Sequence, residues 1–414
     1  MNKKWSHKHF ILDMIFDKNF LKFISSVIIL VIVFAFLKSD IADFDITLFV
    51  SVIMLFLCNF IANWIYAFYT RKAEDSRKLS NKCDNICRLY NQEKLLKYNN
   101  YGKEETFPMI VLAIRRITAV AFDIVMNDCN SDKVFELPED IKKNSVWLLD
   151  AHRCSYQYNS RTVRLDDFKQ KGNKVELTYS NACYWDLLMT NRVMDYEWKD
   201  GRTIRNIYEL GPYINSLKDS KMANHIGFNG FIEFEGDGIL FIKRSGKMSV
   251  GKKTLGTSVS AKLNPLYDYK KYEKLTTELL YEAIAQAVNR ELKYFTVNNS
   301  HIEVDHNDIK NSIFAFYRDL VEGGKPQILF YYKIKGKDES GCDVRFEKGN
   351  KRHQISRDKK LAKIDDDKYT FITISQLRNA YISNNSIYIN DLKKKYKMTS
   401  SAAASVVMLL DAYK

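Results

Sequence analysis

Two uncharged apolar runs dominate the hydropathy pattern near the start of the chain. The first, FISSVIILVIVFAFL from Phe23 to Leu37, is extended by Phe20, Leu21 and a Lys22 whose stem can snorkel. It approaches the roughly 20 residues that a spanning helix needs. The second, ITLFVSVIMLFLCNFIANWIYAFY from Ile46 to Tyr69, is longer. The intervening KSDIADFD has room only for a tight turn. The pattern predicts two transmembrane helices over 20–69. Residues 1–19, with Trp5, Phe10, Ile11 and Met14 on one face, are expected to lie along the cytoplasmic interface as an amphipathic segment. No small-residue cleavage site follows the first run, which argues against a removable leader. Lys3, Lys4 and Lys8 precede the first run, and Arg71, Lys72, Arg77 and Lys78 follow the second. Asp40, Asp43 and Asp45 face Lys38 in the turn. This asymmetry predicts a two-pass protein with both termini cytoplasmic, which in a bacterium means the inner membrane. Ser51, Asn59 and Asn63 make a polar stripe on the second run. Such a stripe serves as interhelical hydrogen-bond glue or lines a path, and both readings imply self-association.

Beyond residue 70 the pattern changes. Residues 70–144 open with RKAEDSRKLSNKCDNICRLYNQEKLLKY, where Leu79, Cys83, Ile86 and Leu89-Tyr90 follow helical spacing and predict a helical stalk. FPMIVLAIRRITAVAFDIVM, 107–126, is apolar enough to suggest a third span. Arg115 and Arg116 at its centre argue for a buried soluble segment instead. From about 145 the chain turns to strands: NKVELTYS alternates, as does GFIEFEGDGILFIKRS, whose EGDG at 235–238 signals a hairpin, and KPQILFYYKIKG at 325–336 reads as another strand. Helices are predicted over 267–295 and 307–321, the second capped within EVDHNDIKN, and an amphipathic one over 398–413. Strands and helices mix without regular βαβ order, so the expected class is α+β. The expected layout is a two-helix membrane unit followed by a mixed-sheet domain over 145–345, with a helical extension over 346–414.

Charge and composition narrow the partners. The 414 residues carry a formal net charge of +14, which favours anionic partners, although a lysine-rich proteome produces the same balance. Seven cysteines are scattered, and Cys83 and Cys87 have no second pair to complete a zinc site. The seven histidines form no metal-binding pattern, and neither a phosphate-binding P-loop nor a nucleophile elbow is present.

EAIAQAVNRELKYF, Glu282 to Phe295, supplies the candidate chemistry. Glu282, Arg290, Glu291 and Leu292 match the G-x5-E-x7-R-E-U-x-E-E-x-G-U box of the Nudix superfamily. Thr276 stands at the first Gly, Tyr294 and Phe295 at the paired Glu, and Val297 at the last Gly. With the preceding strands, the loop GKMSVGKKTLGTSVSAKL and the following FYRDLVEGGKPQILFYY, residues 145–345 resemble a Nudix domain with a degenerate box. The resemblance implies a pocket for a phosphate-bearing ligand. In that family the carboxylates of the box hold divalent cations. Here only Glu291 remains in the R-E segment, so the expectation is binding without catalysis and without a cofactor; Mg²⁺ on Glu291 belongs to the hydrolytic alternative. Arg244, Lys247, Lys252, Lys253, Glu282, Arg290 and Glu291 are the expected ligand contacts, with Tyr294 and Phe295 stacking on a base. Six of them have a plainer reading: an ion pair for Glu282 and Arg290, a solvated turn for Lys252 and Lys253, core packing for Tyr294 and Phe295.

Two spans joined to a cytosolic nucleotide-handling domain is a layout similar to the membrane effectors of bacterial anti-phage systems. The resemblance implies a homo-oligomer that senses a nucleotide-type second messenger and disrupts or depolarises the membrane, with no direct nucleic-acid partner. The alternatives are a membrane-anchored Nudix-type hydrolase of a nucleoside diphosphate derivative, and a scaffold.

Overall fold

The computed structural model describes residues 78–80, 82–152, 159–198, 200–244, 250–251, 253–263, 274–293, 295–297, 300–335, 346–348 and 369–414, with isolated positions between 54 and 62. The chain divides into two compact units, Met1–Thr70 and Arg71–Lys414. In the first, Met54, Leu57, Cys58 and Phe60–Ala62 are helical. The rest of both predicted spans, with Ser51, Asn59 and Asn63, lies outside the described residues. Among the described residues no helix is long and apolar enough to cross a membrane.

The second unit is a mixed α+β domain. Its strands are β1 (Leu95–Asn100), β2 (Lys103–Ile114), β3 (Asp123–Val134), β4 (Arg161–Lys171), β5 (Lys174–Cys183) and β6 (Gly227–Phe234). They continue with β7 (Gly238–Lys243), β8 (Leu255–Gly256), β9 (Val259–Lys262), β10 (Phe295–Val297), β11 (Ser300–His301) and β12 (Ile313–Asp319). The last are β13 (Lys325–Ile334), β14 (Phe346–Lys348), β15 (Tyr369–Ile372), β16 (Ala380–Ser383), β17 (Ser386–Ile389) and β18 (Lys394–Lys397). The main sheet runs β1-β2-β12-β13-β6-β7-β15, with β8 on β7 and β9 on β6. β13 and β6 are parallel, Gln327 opposite Gly227, while the other pairs along this path are antiparallel.

Both faces of this sheet are covered, which explains why its central strands read as continuous apolar runs. Along β12, Ile313 and Phe316 enter one core while Phe314 and Tyr317 enter the other. Along β13, Ile328 and Phe330 take the first side, Leu329 and Tyr331 the second. The first core is closed by the long helix Thr277–Leu292 and the small sheet β3-β5-β4. The second is closed by the C-terminal helix Ser400–Ala412 and the sheet β16-β17-β18.

The long helix starts at Thr276, whose hydroxyl accepts from the Leu279 N–H at 3.3 Å. Thr is among the residues favoured at that position, because its side-chain oxygen satisfies a free backbone N–H of the first turn. Leu280, Ile284, Ala287, Val288 and Leu292 form its buried stripe. The described helix is shorter than the 267–295 expected, and 264–273 lie outside the described residues.

Three expectations are corrected. Residues 70–144 are not a helical stalk: after the short helix Cys83–Leu89 they form β1, β2 and β3, and β2 pairs with β12 inside the main sheet. The stripe Leu79, Cys83, Ile86 and Tyr90 is buried against the domain. The segment expected to be helical over 307–321 is so only over His306–Lys310, with Asp305, inside the EVDHNDIKN read as a cap, as its N-cap, and it then becomes β12. Its aromatic and β-branched residues alternate between two cores, and that packing outweighs any helical spacing. The C-terminal segment is no separate helical extension, because β15 joins the main sheet and the final helix is buried at every position except Ser401 and Asp411. A helix apolar all round belongs inside a core.

Candidate functional site

One end of the main sheet opens into a cavity of about 410 Å³. Asp319 ends β12 and Lys325 opens β13, with Val321 and Glu322 in the turn between them. β6 contributes Asn229, β9 contributes Ser260, Ala261 and Lys262, and Arg244 follows β7. Opposite lie Tyr184 and Leu187 of the helix Tyr184–Met189, then Arg192. Thr399, Ser400, Ser401 and Ala402, the first turn of the C-terminal helix, close the wall, together with Leu79.

Local sequence places these groups. The turn at Glu322 closes with Gly323 and Gly324 at φ +63° and +78°, the left-handed region that favours glycine. A Cβ at Gly227 would collide with Gln327 Oε1 and crowd Lys325 Nζ, so glycine there lets both side chains lie across β6. Thr399 caps its helix by accepting from the Ala402 N–H at 3.2 Å. Behind it, the Tyr317 hydroxyl links Ser401 Oγ at 2.9 Å with Asn229 Nδ2, also at 2.9 Å.

Four cations, Arg192, Arg244, Lys262 and Lys325, face two carboxylates, Asp319 and Glu322. Glu322 is shared: its Oε1 accepts from Arg192 Nη1 at 2.8 Å and its Oε2 lies 3.7 Å from Lys325 Nζ. Among the described residues Arg244 donates to two neutral oxygens, Val250 O and Ser260 Oγ, both at 3.3 Å. Lys262 donates to Ser160 Oγ at 3.1 Å and sits 3.9 Å from the centre of the Tyr184 ring. Among the described residues neither Arg244 nor Lys262 has a carboxylate partner. Burial pulls the Lys262 ammonium down to about 8 and the Arg244 guanidinium down to about 10. The Asp319 carboxyl is pushed up to about 7, first by burial and then by Glu322, against the pull of Lys325. A buried wall with two cations that have no carboxylate partner among the described residues, and with hydroxyl groups beside them, is suited to holding an anion.

The structure separates the residues expected from the sequence. Arg244 lines the cavity. Lys253 is exposed, and its backbone N–H donates to Arg244 O at 3.1 Å. Glu282 and Glu291 are half-buried and Arg290 is exposed on the long helix, and none of the three lines the cavity. Phe295 takes its core reading: buried, with its ring centre 5.3 Å from that of Phe234 and 5.4 Å from that of Tyr369. Lys247, Lys252 and Tyr294 lie outside the described residues. Among the described residues no three His, Cys, Asp or Glu side chains gather as a metal site, around Glu291 or elsewhere.

Sequence reasoning missed Arg192, Lys262, Lys325, Asp319, Glu322 and Tyr184. Lys262 ends the short strand β9 and Lys325 opens the apolar β13, and each looks in sequence like an ordinary solvated strand end. MTSSAAASVV, with Thr before an apolar helix, was the one legible signal, because it marks an N-cap. No protein-family model and no curated protein matches the chain.

Proposed function

We propose that the chain is a membrane-anchored receptor: the cytosolic domain takes the phosphate-bearing part of a nucleotide-type ligand into the basic cavity, and the apolar N-terminal runs respond to it. The observation that carries this is Arg244, held on the cavity wall by two neutral oxygens with no carboxylate partner among the described residues. A guanidinium so placed can bind phosphate in bidentate fashion. Lys262 adds a second cation of the same kind. The first turn of the C-terminal helix adds the positive end of a helix dipole. A volume of about 410 Å³ lies in the range of small-molecule sites. The similarity in layout to anti-phage membrane effectors supplies the biological role: ligand arrival alters packing of an oligomer in the membrane, and the membrane leaks or depolarises. The ligand can drive this only by its differential affinity for the two states.

The test is calorimetric titration of the full chain in lipid nanodiscs with linear and cyclic nucleotides. At least one should bind, and Arg244→Ala should weaken it about 10- to 100-fold. Unchanged affinity in Arg244→Ala would remove the cavity from the argument. Turnover of a nucleoside diphosphate derivative with Mg²⁺, lost in Glu291→Gln, would replace the receptor by the hydrolase.

A further inference from the structure

The turn that carries Glu322 is held from both sides. Toward the cavity, one buried carboxylate engages two of the four cations, Arg192 and Lys325. Its Oε2 has no hydrogen-bond partner among the described residues, so the second contact is purely ionic. Asn191 Nδ2 donates to the Glu322 carbonyl at 2.8 Å. Away from the cavity, the buried Arg205 donates to Leu320 O at 2.9 Å and Val321 O at 2.8 Å. The same guanidinium grips Asp195 in bidentate fashion, at 2.6 and 3.0 Å. Asp195 in turn accepts from the Ser80 N–H at 2.7 Å, and its own N–H donates to Lys78 O at 3.1 Å. Leu79, between those two residues, lines the cavity itself. Lys78–Ser80 lies a few residues along the chain from the unit boundary at Arg71.

We propose that Glu322 is a built-in anion of the cavity: an entering phosphate takes its place on Arg192 and Lys325, and the displaced turn acts through Arg205 and Asp195 on Lys78–Ser80. The inference rests on reading the cavity as a phosphate site. Carboxylate and phosphate oxygens compete for the same guanidinium and ammonium donors, and the phosphate brings more charge. A carboxylate left buried without its cations is strongly disfavoured, so Glu322 must swing away. Gly323 and Gly324 give the turn that freedom.

The experiment titrates inorganic pyrophosphate into the full chain in nanodiscs. Glu322→Gln removes the competitor and should bind about tenfold tighter than the parent chain. Asp319→Asn removes the cavity's other carboxyl, which is part-protonated near neutral pH, but takes no ion pair from Arg192, and should shift affinity about threefold or less. Glu322→Gln leaves Arg192 and Lys325 uncompensated, so its Tm should fall, and pyrophosphate should raise it by more than it raises the parent's. Glu322→Ala should behave alike. Hydrogen exchange of the Ser80 amide should rise on adding pyrophosphate to the parent chain, and should already be raised in Glu322→Gln without it. Equal or weaker binding in both Glu322 variants overturns the competition, and unchanged Ser80 exchange overturns the relay. If no chain binds pyrophosphate or nucleotides, the anion site itself falls, and this inference with it.

Discussion

Lys262 and Asp319 set how the cavity responds to pH. Lys262 titrates near 8 in the fold against an ordinary 10.5. Its contribution to stability is therefore full above the ordinary value and is lost as pH falls through about 8. Asp319, raised to about 7 from 3.8, contributes most below 3.8, and that is lost as pH rises through about 7. Anion binding follows charge rather than stability. For a phosphodiester ligand, whose own charge is constant over this range, affinity should hold below about pH 6 and weaken as Asp319 ionises and Lys262 loses its proton. Lys262→Arg should remove the upper limb of a Kd profile, while the lower limb, from Asp319, stays. Phe295 is a contrasting residue. Because it packs among Phe234, Tyr369 and Phe371, Phe295→Ala should cost about 3–5 kcal/mol in denaturant unfolding and leave anion affinity unchanged. A base-stacking role would instead show as lost affinity.

At the scale of elements, the two main helices exchange the roles the sequence suggests. The long helix carries the motif-like residues but packs its stripe into one core, away from the cavity. Glu282→Gln and Glu291→Gln should therefore change anion affinity by about twofold or less. The C-terminal helix carries no motif, yet its first turn is a cavity wall. Thr399→Ala removes its cap and should cost about 1 kcal/mol in thermal or chemical unfolding, with Thr399→Ser retaining most of the stability.

For the whole molecule, the prediction concerns coupling. In vesicles, nucleotide added to the full chain should release an entrapped dye. Asn59→Leu with Asn63→Leu should blunt the release while affinity, measured on the same preparation, stays put. Release that persists undiminished would separate the polar stripe from function.

What the sequence alone determined was local. Alternation marked β5, β6 and β7, the apolar KPQILFYYKIKG marked β13, EGDG marked the β6–β7 turn, and EVDHNDIKN marked a helix start. These features depend on side-chain periodicity and on hydrogen bonds between near neighbours, which a short window of residues contains. The tertiary structure decided which distant segments meet. β6 pairs in parallel with β13 about a hundred positions later, β2 enters the same sheet from a region whose polar start suggested a stalk, and β15 closes its far edge. The cavity is the extreme case, drawing Leu79, Arg192, Arg244, Lys325 and Thr399 to one place. No spacing rule connects such residues. Their proximity follows from strand pairing and from burial on both faces of one sheet, and so does the excess of cations that a linear reading saw only as a net charge.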